Sequence, residues 1–179
     1  MTYRIISTFD GSTETCTLTE LSQQLKLNSI LAELGVDGTL IDCWPIVHET
    51  LVTFAVEFAE YALKNYAKKK SPEADTCIAL TKQWLKNNNS VSNEELKAAA
   101  DAADADAAAT DAAYAAAAAA DAADAAADAA DAATYAAADA AYAAAAAGKS
   151  REAELIRQGQ FIVEYLKAAA TVSSDSVAA

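Results

Sequence analysis

The chain opens with two short segments rich in β-branched and aromatic residues, at positions 3–8 and 14–18. They flank Asp10-Gly11, a dipeptide typical of the tight turn between paired strands, so this region predicts a β-hairpin. The apolar period then changes to that of a helix, through Leu21, Leu25, Ile30, Leu31 and Leu34. We therefore predict a helix that ends at Gly35, followed by a loop over residues 36–44.

A long amphipathic helix is predicted next, with Pro45 at its first position, where a missing N–H costs nothing. Three lysines at 68–70 follow its end, where positive charge complements the helix dipole. Ser71 and Pro72 then provide the N-cap and first residue of another helix. The apolar stripes of the two helices contain Leu51, Phe54, Ala55, Phe58, Ala59, Ala62, Leu63 and Tyr66, and Cys77, Ile78, Leu80, Trp84 and Leu85.

An alanine-rich region follows the capping-box pattern of Ser92 and Glu95. Residues 98–147 comprise 36 Ala, nine Asp, three Tyr and two Thr. Alanine has the highest helix propensity and loses no rotamer entropy on burial, so this composition predicts tightly packed helices. Gly148 is a natural C-cap, and Ser150 begins a final amphipathic helix that precedes a frayed tail.

The aspartates of this region indicate where the helix must break. One uninterrupted helix would be about 80 Å long, several times the diameter of a small domain. When residues are placed 100° apart, Asp101, Asp104 and Asp111 project onto a different arc from the aspartates after residue 120, and Asp106 is an exception that falls on the later arc. We therefore predict breaks near residues 110–111 and 120–121, with a further break near Thr134.

These elements predict a mostly all-α fold, a compact bundle of alanine-rich helices with a small N-terminal β-hairpin. Residues 1–44 would form an appendage of hairpin and helix, residues 45–170 the bundle, and residues 171–179 a flexible tail.

The charge balance narrows the range of partners. The chain has 13 basic and 26 acidic residues, a net charge of −13. This charge repels phosphate backbones and anionic lipid, so we expect neither direct nucleic-acid binding nor membrane binding, and a basic protein is the favoured partner. Three cysteines without a CxxC pair, and a start without a signal-peptide pattern, indicate a cytoplasmic protein.

The middle and end of the chain resemble a known family. The segment LVTFAVEFAEYALKNYAKKKSPEADTCIALTKQWLKN at 51–87, the alanine tract and the closing EAELIRQGQFIVEYLKA are similar to alanine-rich bacterial immunity proteins. The resemblance covers roughly residues 46–167. It implies a protein that neutralises a toxin by binding to it, and it supplies no functional residues.

One helical face carries the candidate site. Its residues recur at helical spacing on a background of alanine and are Asp121, Asp124, Asp128, Asp131, Tyr135, Asp139 and Tyr142. Three interpretations remain open for this face: a solvated surface, a loose Mg²⁺ or Ca²⁺ site, or a partner-binding surface with tyrosine anchors. We favour the solvated surface as the default and expect no bound metal or cofactor.

No catalytic residues are predicted. His48, the single histidine, is expected to pack or cap a helix, and the three cysteines are expected to be small buried side chains. The sequence thus predicts a non-enzymatic, immunity-like binding protein that presents its Asp/Tyr face to a basic toxin or nuclease. The alternatives are an acidic mimic of nucleic acid, of the kind a phage uses against a DNA-binding enzyme, and a structural protein that associates with itself.

Overall fold

The computed structural model describes residues 2–87, 90–109, 113–127 and 132–177. Within these ranges it contains a four-stranded antiparallel sheet and six α-helices. The prediction of a mostly all-α bundle is therefore wrong, because the fold is α+β. The difference arises between residues 29 and 46, which form a second β-hairpin instead of a helix and a loop.

The predicted first hairpin is confirmed. Strands β1 (Thr2–Ser7) and β2 (Thr13–Thr17) pair antiparallel, with Tyr3 opposite Cys16. The connecting turn is closed by a hydrogen bond from the Gly11 N–H to the Ser7 carbonyl. Gly11 has a φ of +71°, a conformation that glycine adopts without strain.

The helix predicted over residues 19–35 is wrong. Its first part is a short 3₁₀ helix, Leu21–Gln23, and its second part is strand β3, Ser29–Leu34. β3 is a central strand between β1 and β4 (Leu40–Ile46), in the order β2-β1-β3-β4. Five of its six residues are buried, so it lacks the alternation of a half-exposed strand, and a short apolar run of this kind is easily mistaken for a helix.

β4 replaces the predicted loop and contains Pro45. Pro45 lies opposite Ile30, and the strand is at the edge of the sheet, where proline is tolerated because only one side of the strand is paired. Helix α1 therefore begins at His48 and not at Pro45, and it extends to Asn65.

The two helices predicted after the sheet are confirmed in type and in their apolar faces. In α1 the side chains of Leu51, Phe54, Ala55 and Phe58 are fully buried. Helix α2 is Pro72–Lys86, and the Ser71 hydroxyl caps it by accepting a hydrogen bond from the Ala74 N–H at 3.1 Å. His48 packs on Trp84 with ring centroids 5.5 Å apart, which ties the start of α1 to the end of α2.

The alanine-rich region forms helices α3 (Asn93–Ala109), α4 (Ala113–Ala127) and α5 (Ala132–Ala146). The capping box is present: Ser92 and Glu95 exchange side-chain-to-backbone hydrogen bonds of 3.2 and 2.9 Å. The break predicted at residues 110–111 falls between α3 and α4, outside the described residues. The break predicted at 120–121 is wrong, because α4 continues through it.

Helix α4 is the centre of the helical layer and contacts α1, α2, α3 and α5. Alanines of α4 and α5 with at most 1% exposure fill the contacts: Ala118, Ala119, Ala120, Ala122, Ala123, Ala133, Ala136, Ala137, Ala140, Ala141 and Ala144. The predicted close packing of alanine faces is confirmed. The break predicted at 120–121 would keep every aspartate in open water, whereas Asp121 and Asp124 of α4 are half-buried.

Helix α5 ends in a Schellman motif: the N–H groups of Gly148 and Lys149 donate to the carbonyls of Ala145 and Ala144, each at 2.9 Å. Ser150 then caps α6, which runs from Arg151 to Val177.

Helix α6 joins the helices to the sheet. It packs against β4 and the 3₁₀ helix, and its Phe161 and Tyr165 rings meet Phe54 of α1 edge-to-face. Lys167 pairs with the buried Glu33 of β3 at 3.1 Å. None of the described helices combines the length and the apolar character required to cross a bilayer.

Candidate functional site

The structure brings part of the predicted face together on adjacent helices. Asp121 and Asp124 are on α4, whereas Tyr135, Asp139 and Tyr142 are on α5, which packs beside it. Asp128 and Asp131 lie outside the described residues. Asp104 of α3 joins the cluster from the other side of α4, since its charge acts on Asp121, Asp124 and Asp139.

Asp121 is at the centre of this cluster. Burial between the helices raises its pKa most, and the negative charges of Asp139, Asp104 and Asp124 raise it further, from an ordinary value of 3.8 to about 7. All the charges that act on it are therefore of its own sign. A carboxylate in this position is poorly solvated and repelled by its neighbours, so its charged form is disfavoured near neutral pH.

The surrounding carboxylates have the same character. Burial is the main cause of the raised pKa of Asp104, Asp124 and Asp139, and neighbouring aspartates add to it. The positive charge of Lys97 partly offsets the rise in the pKa of Asp124. No such offset from any residue that the structure describes acts on the pKa of Asp104 or Asp139. The prediction that these acids face open water is thus wrong for Asp121, Asp124 and Asp139, which are half-buried. Alanine on both neighbouring helices lets the backbones approach and shields the carboxylates from solvent.

Tyrosines border the acidic cluster and remain accessible. The rings of Tyr114 on α4 and Tyr142 on α5 are 5.5 Å apart, and the Arg151 guanidinium lies 5.0 Å from the Tyr142 ring centre. Tyr135 is 61% exposed, the highest value among these tyrosines. The predicted exposure of Tyr135 and Tyr142 agrees with the structure, whereas Tyr114 was not singled out, because helices α4 and α5 had to be paired before it could be placed.

We call the surface formed by Asp101, Asp104, Tyr114, Asp121, Asp124, Tyr135, Asp139 and Tyr142 the acidic face. Among the described residues, no three His, Cys, Asp or Glu side chains are arranged to hold a metal ion. What the arrangement offers is concentrated negative charge beside aromatic rings, which is suited to cationic groups.

The cysteines do not supply a reactive centre. Cys77 is buried and its thiol donates to the Ala119 carbonyl at 3.2 Å; burial, with the charges of Asp124 and Asp104, raises the pKa of this thiol to about 12. Burial likewise raises the pKa of Cys16 to about 11. Cys43 is exposed on the edge strand, so the prediction of three buried cysteines is wrong for this residue.

A buried polar network joins α5 and α6 to the end of α1, and nothing in the sequence pattern predicted it. Glu154, 2% exposed, accepts hydrogen bonds from the Tyr66 hydroxyl at 2.7 Å and from Arg157 at 2.8 to 3.1 Å. Gln158 donates to Glu154 at 3.2 Å and to the Ala137 carbonyl at 2.9 Å. These hydrogen bonds hold α6 against α5 and against the end of α1.

Comparisons of the chain with models of known protein families, with curated proteins and with solved structures return no match.

Proposed function

We propose that this protein is a non-enzymatic binding protein of the immunity type, and that its acidic face holds a basic protein partner. The single observation that carries the proposal is the crowding at Asp121. Three further carboxylates raise its pKa, so a positive group that arrives from outside gains both from the existing negative potential and from relief of this repulsion.

The tyrosines support the proposal with a second kind of contact. Tyr114, Tyr135 and Tyr142 are 45–61% exposed beside the acids, and tyrosine offers a large, stiff contact area to a partner. The guanidinium of Arg151 lies 5.0 Å from the centre of the Tyr142 ring, and a basic partner could make the same kind of contact with the exposed tyrosines.

The resemblance to alanine-rich immunity proteins agrees with this role, and a small basic toxin or nuclease is the partner that we propose. A cytoplasmic setting is part of the proposal, since Cys16, Cys43 and Cys77 are free thiols.

Three proteins immobilised in parallel test the proposal. The first is the wild type. The second neutralises the centre of the acidic face through Asp104→Asn, Asp121→Asn and Asp139→Asn. The third removes the same charge from exposed positions on other helices through Glu49→Gln, Glu73→Gln and Glu164→Gln. Each is incubated with lysate from the source organism, and the captured proteins are quantified by mass spectrometry.

We expect a basic protein to be retained by the wild type and by the charge-matched control, and to fall by about tenfold or more on the neutralised face. An equal fall in both variants would show that net charge, and not this face, is responsible. Equal capture by all three proteins would rule out the acidic face as the binding surface. Capture of a nucleic-acid enzyme through its DNA-binding site would instead favour the mimic, and capture of the chain itself would favour self-association.

A further inference from the structure

A cleft with more basic than acidic residues lies between α1, α2 and the connection that joins them. Its volume is about 770 Å³, within the range of small-molecule sites. Its lining combines the lysines Lys64, Lys68, Lys70 and Lys82 with Tyr61 and Ile78. Neither the acidic face nor the proposed function involves this cleft.

Five of the thirteen basic residues of the chain line this one cleft. Two of its three acids are compensated, because Glu60 pairs with Lys82 and Glu57 lies 3.5 Å from Arg157. Lys64, Lys68 and Lys70 are exposed and form no ion pair with any residue that the structure describes. The cleft therefore has an excess of positive charge on a protein whose net charge is −13.

Arg157 holds the Tyr61 ring, which is part of the lining of the cleft. The Arg157 guanidinium lies 3.6 Å from the centre of the Tyr61 ring and is itself bound to the buried carboxylate of Glu154. Leu63, Ala67 and Ile78 add apolar side chains to the lining of the cleft. A rigid apolar floor under a rim of ammonium groups fits an amphiphilic anion better than a bare ion.

We propose that this cleft binds an organic phosphate that carries two or more phosphate groups on an apolar or aromatic body. Lysine ammonium groups are strongly hydrated point charges of the kind that hold phosphate oxygens. Lys64 lies in the last turn of α1, and Lys68, Lys69 and Lys70 follow in the connection to α2. The phosphates would lie among these lysines, with the body of the molecule against Tyr61 and Ile78.

Calorimetric titration with ATP, in the absence of divalent metal, tests this proposal. The test variant is Lys68→Gln with Lys70→Gln; its control is Lys86→Gln with Lys149→Gln, which removes the same charge from exposed lysines outside the cleft. We expect ATP to bind the wild type and the control with affinities within about twofold, and the test variant about tenfold or more weakly.

Two further measurements separate the parts of the proposal. Ala79→Glu places a carboxylate in the cleft at an exposed helical position, and we expect it to abolish ATP binding with every lysine intact. Inorganic triphosphate should bind at least about tenfold more weakly than ATP, because it lacks a body to cover the apolar floor. Failure of ATP to bind the wild type at millimolar concentration, or equal loss in the test and control variants, would overturn the proposal. Because all these variants leave the acidic face unchanged, this outcome is independent of the basic partner.

Discussion

Asp121 is a weakened acid, first because it is buried between helices and then because of negative charges on two other helices. Its own helix supplies Asp124 one turn away, but the larger electrostatic contributions come from Asp139 on α5 and Asp104 on α3. Each of these aspartates is unremarkable in the sequence. The raised pKa of Asp121 is a property of the assembled helical layer.

The first prediction concerns Asp121→Asn. The pKa of Asp121 is raised in the folded state, so folding favours the protonated form; its contribution to stability is complete below about pH 4 and is lost as the pH rises through about 7. We expect the variant to match the wild type near pH 4 and to be more stable near pH 8 by on the order of 1 kcal/mol, after allowance for partial solvent exposure. Urea unfolding at both pH values measures this difference.

Asp101→Asn, at an exposed position of the same face, is the control for the loss of one charge. A gain in stability at Asp121→Asn that did not grow with pH would contradict this electrostatic account of the cluster.

Glu154 is a buried carboxylate of a different kind, because it accepts hydrogen bonds from Tyr66, Arg157 and Gln158. We expect Glu154→Gln to lower the free energy of unfolding by about 3 kcal/mol, because Arg157, whose side chain is 22% exposed, would lose its nearest anion and keep only the 3.5 Å contact with Glu57. Glu152→Gln, at an exposed position in the same helix, should change stability by less than about 0.5 kcal/mol. Similar losses for the two variants in urea unfolding would rule out this role for the network.

At the scale of helices and strands, several contacts depend on small side chains that let two backbones approach closely. Alanine permits it among α3, α4 and α5, and Gly159 permits it where α6 crosses the segment after β2. A Cβ atom at Gly159 would lie 2.2 Å from the Leu18 carbonyl oxygen and 3.0 Å from its side chain. The glycine is therefore required by packing, although it lies inside a helix where alanine has the higher propensity.

Gly159→Ala sets these two effects against each other. Helix propensity alone would stabilise the variant by about 1 kcal/mol, whereas the clash with backbone should cost more, and we expect a net loss of about 2 kcal/mol. Thermal and urea unfolding measure the sign. Gly148→Ala, which strains a left-handed residue but meets no atom within 4 Å, should cost only about 1 kcal/mol. A stabilised Gly159→Ala protein would show that α6 does not lie against Leu18 as described.

The elements also show what the sequence could predict. Local signals were sufficient at helix ends, because Ser71, the Ser92–Glu95 pair and Gly148 each act on backbone groups within a few residues. They were insufficient for β3, whose apolar run reflects burial on both sides by β1 and β4. No local pattern records which strands will lie beside a segment.

In the candidate site too, some residues could be placed from local spacing and others only from the packing of distant elements. The spacing on α5 was enough to place Tyr135 and Tyr142 on an accessible face. The roles of Asp104 and Tyr114 depend on the packing of α3 and α5 against α4, and the break predicted at 120–121 separated residues that the continuous α4 keeps together. The lysine cleft was missed because Lys64, the run at 68–70 and Lys82 meet only when α1 and α2 are set side by side.

For the whole molecule, the separation of charge is the main feature. Aspartates are concentrated on helices α3 to α5, and an excess of lysine lies in the cleft between α1 and α2. A basic partner would therefore be steered to one side of the protein and an organic phosphate to the other.

Binding of a basic partner to the acidic face should depend on pH in a defined direction. Protonation of Asp121 below about pH 7 removes negative charge from the centre of the face. We expect the affinity for a captured basic partner to fall between about pH 8 and pH 6, and Asp121→Asn to flatten this dependence. An affinity that rises on acidification would contradict the assignment of this face.

The most direct test of the account is an NMR titration of the aspartate carboxyl carbons in the wild-type protein. If alanine-packed helices hold Asp104, Asp121 and Asp139 together as described, the Asp121 resonance should titrate with a pKa of about 7, and Asp104→Asn should lower that value. An Asp121 pKa close to 3.8 would mean that the carboxylate is surrounded by water, and the three-helix face on which the proposed function depends would not exist.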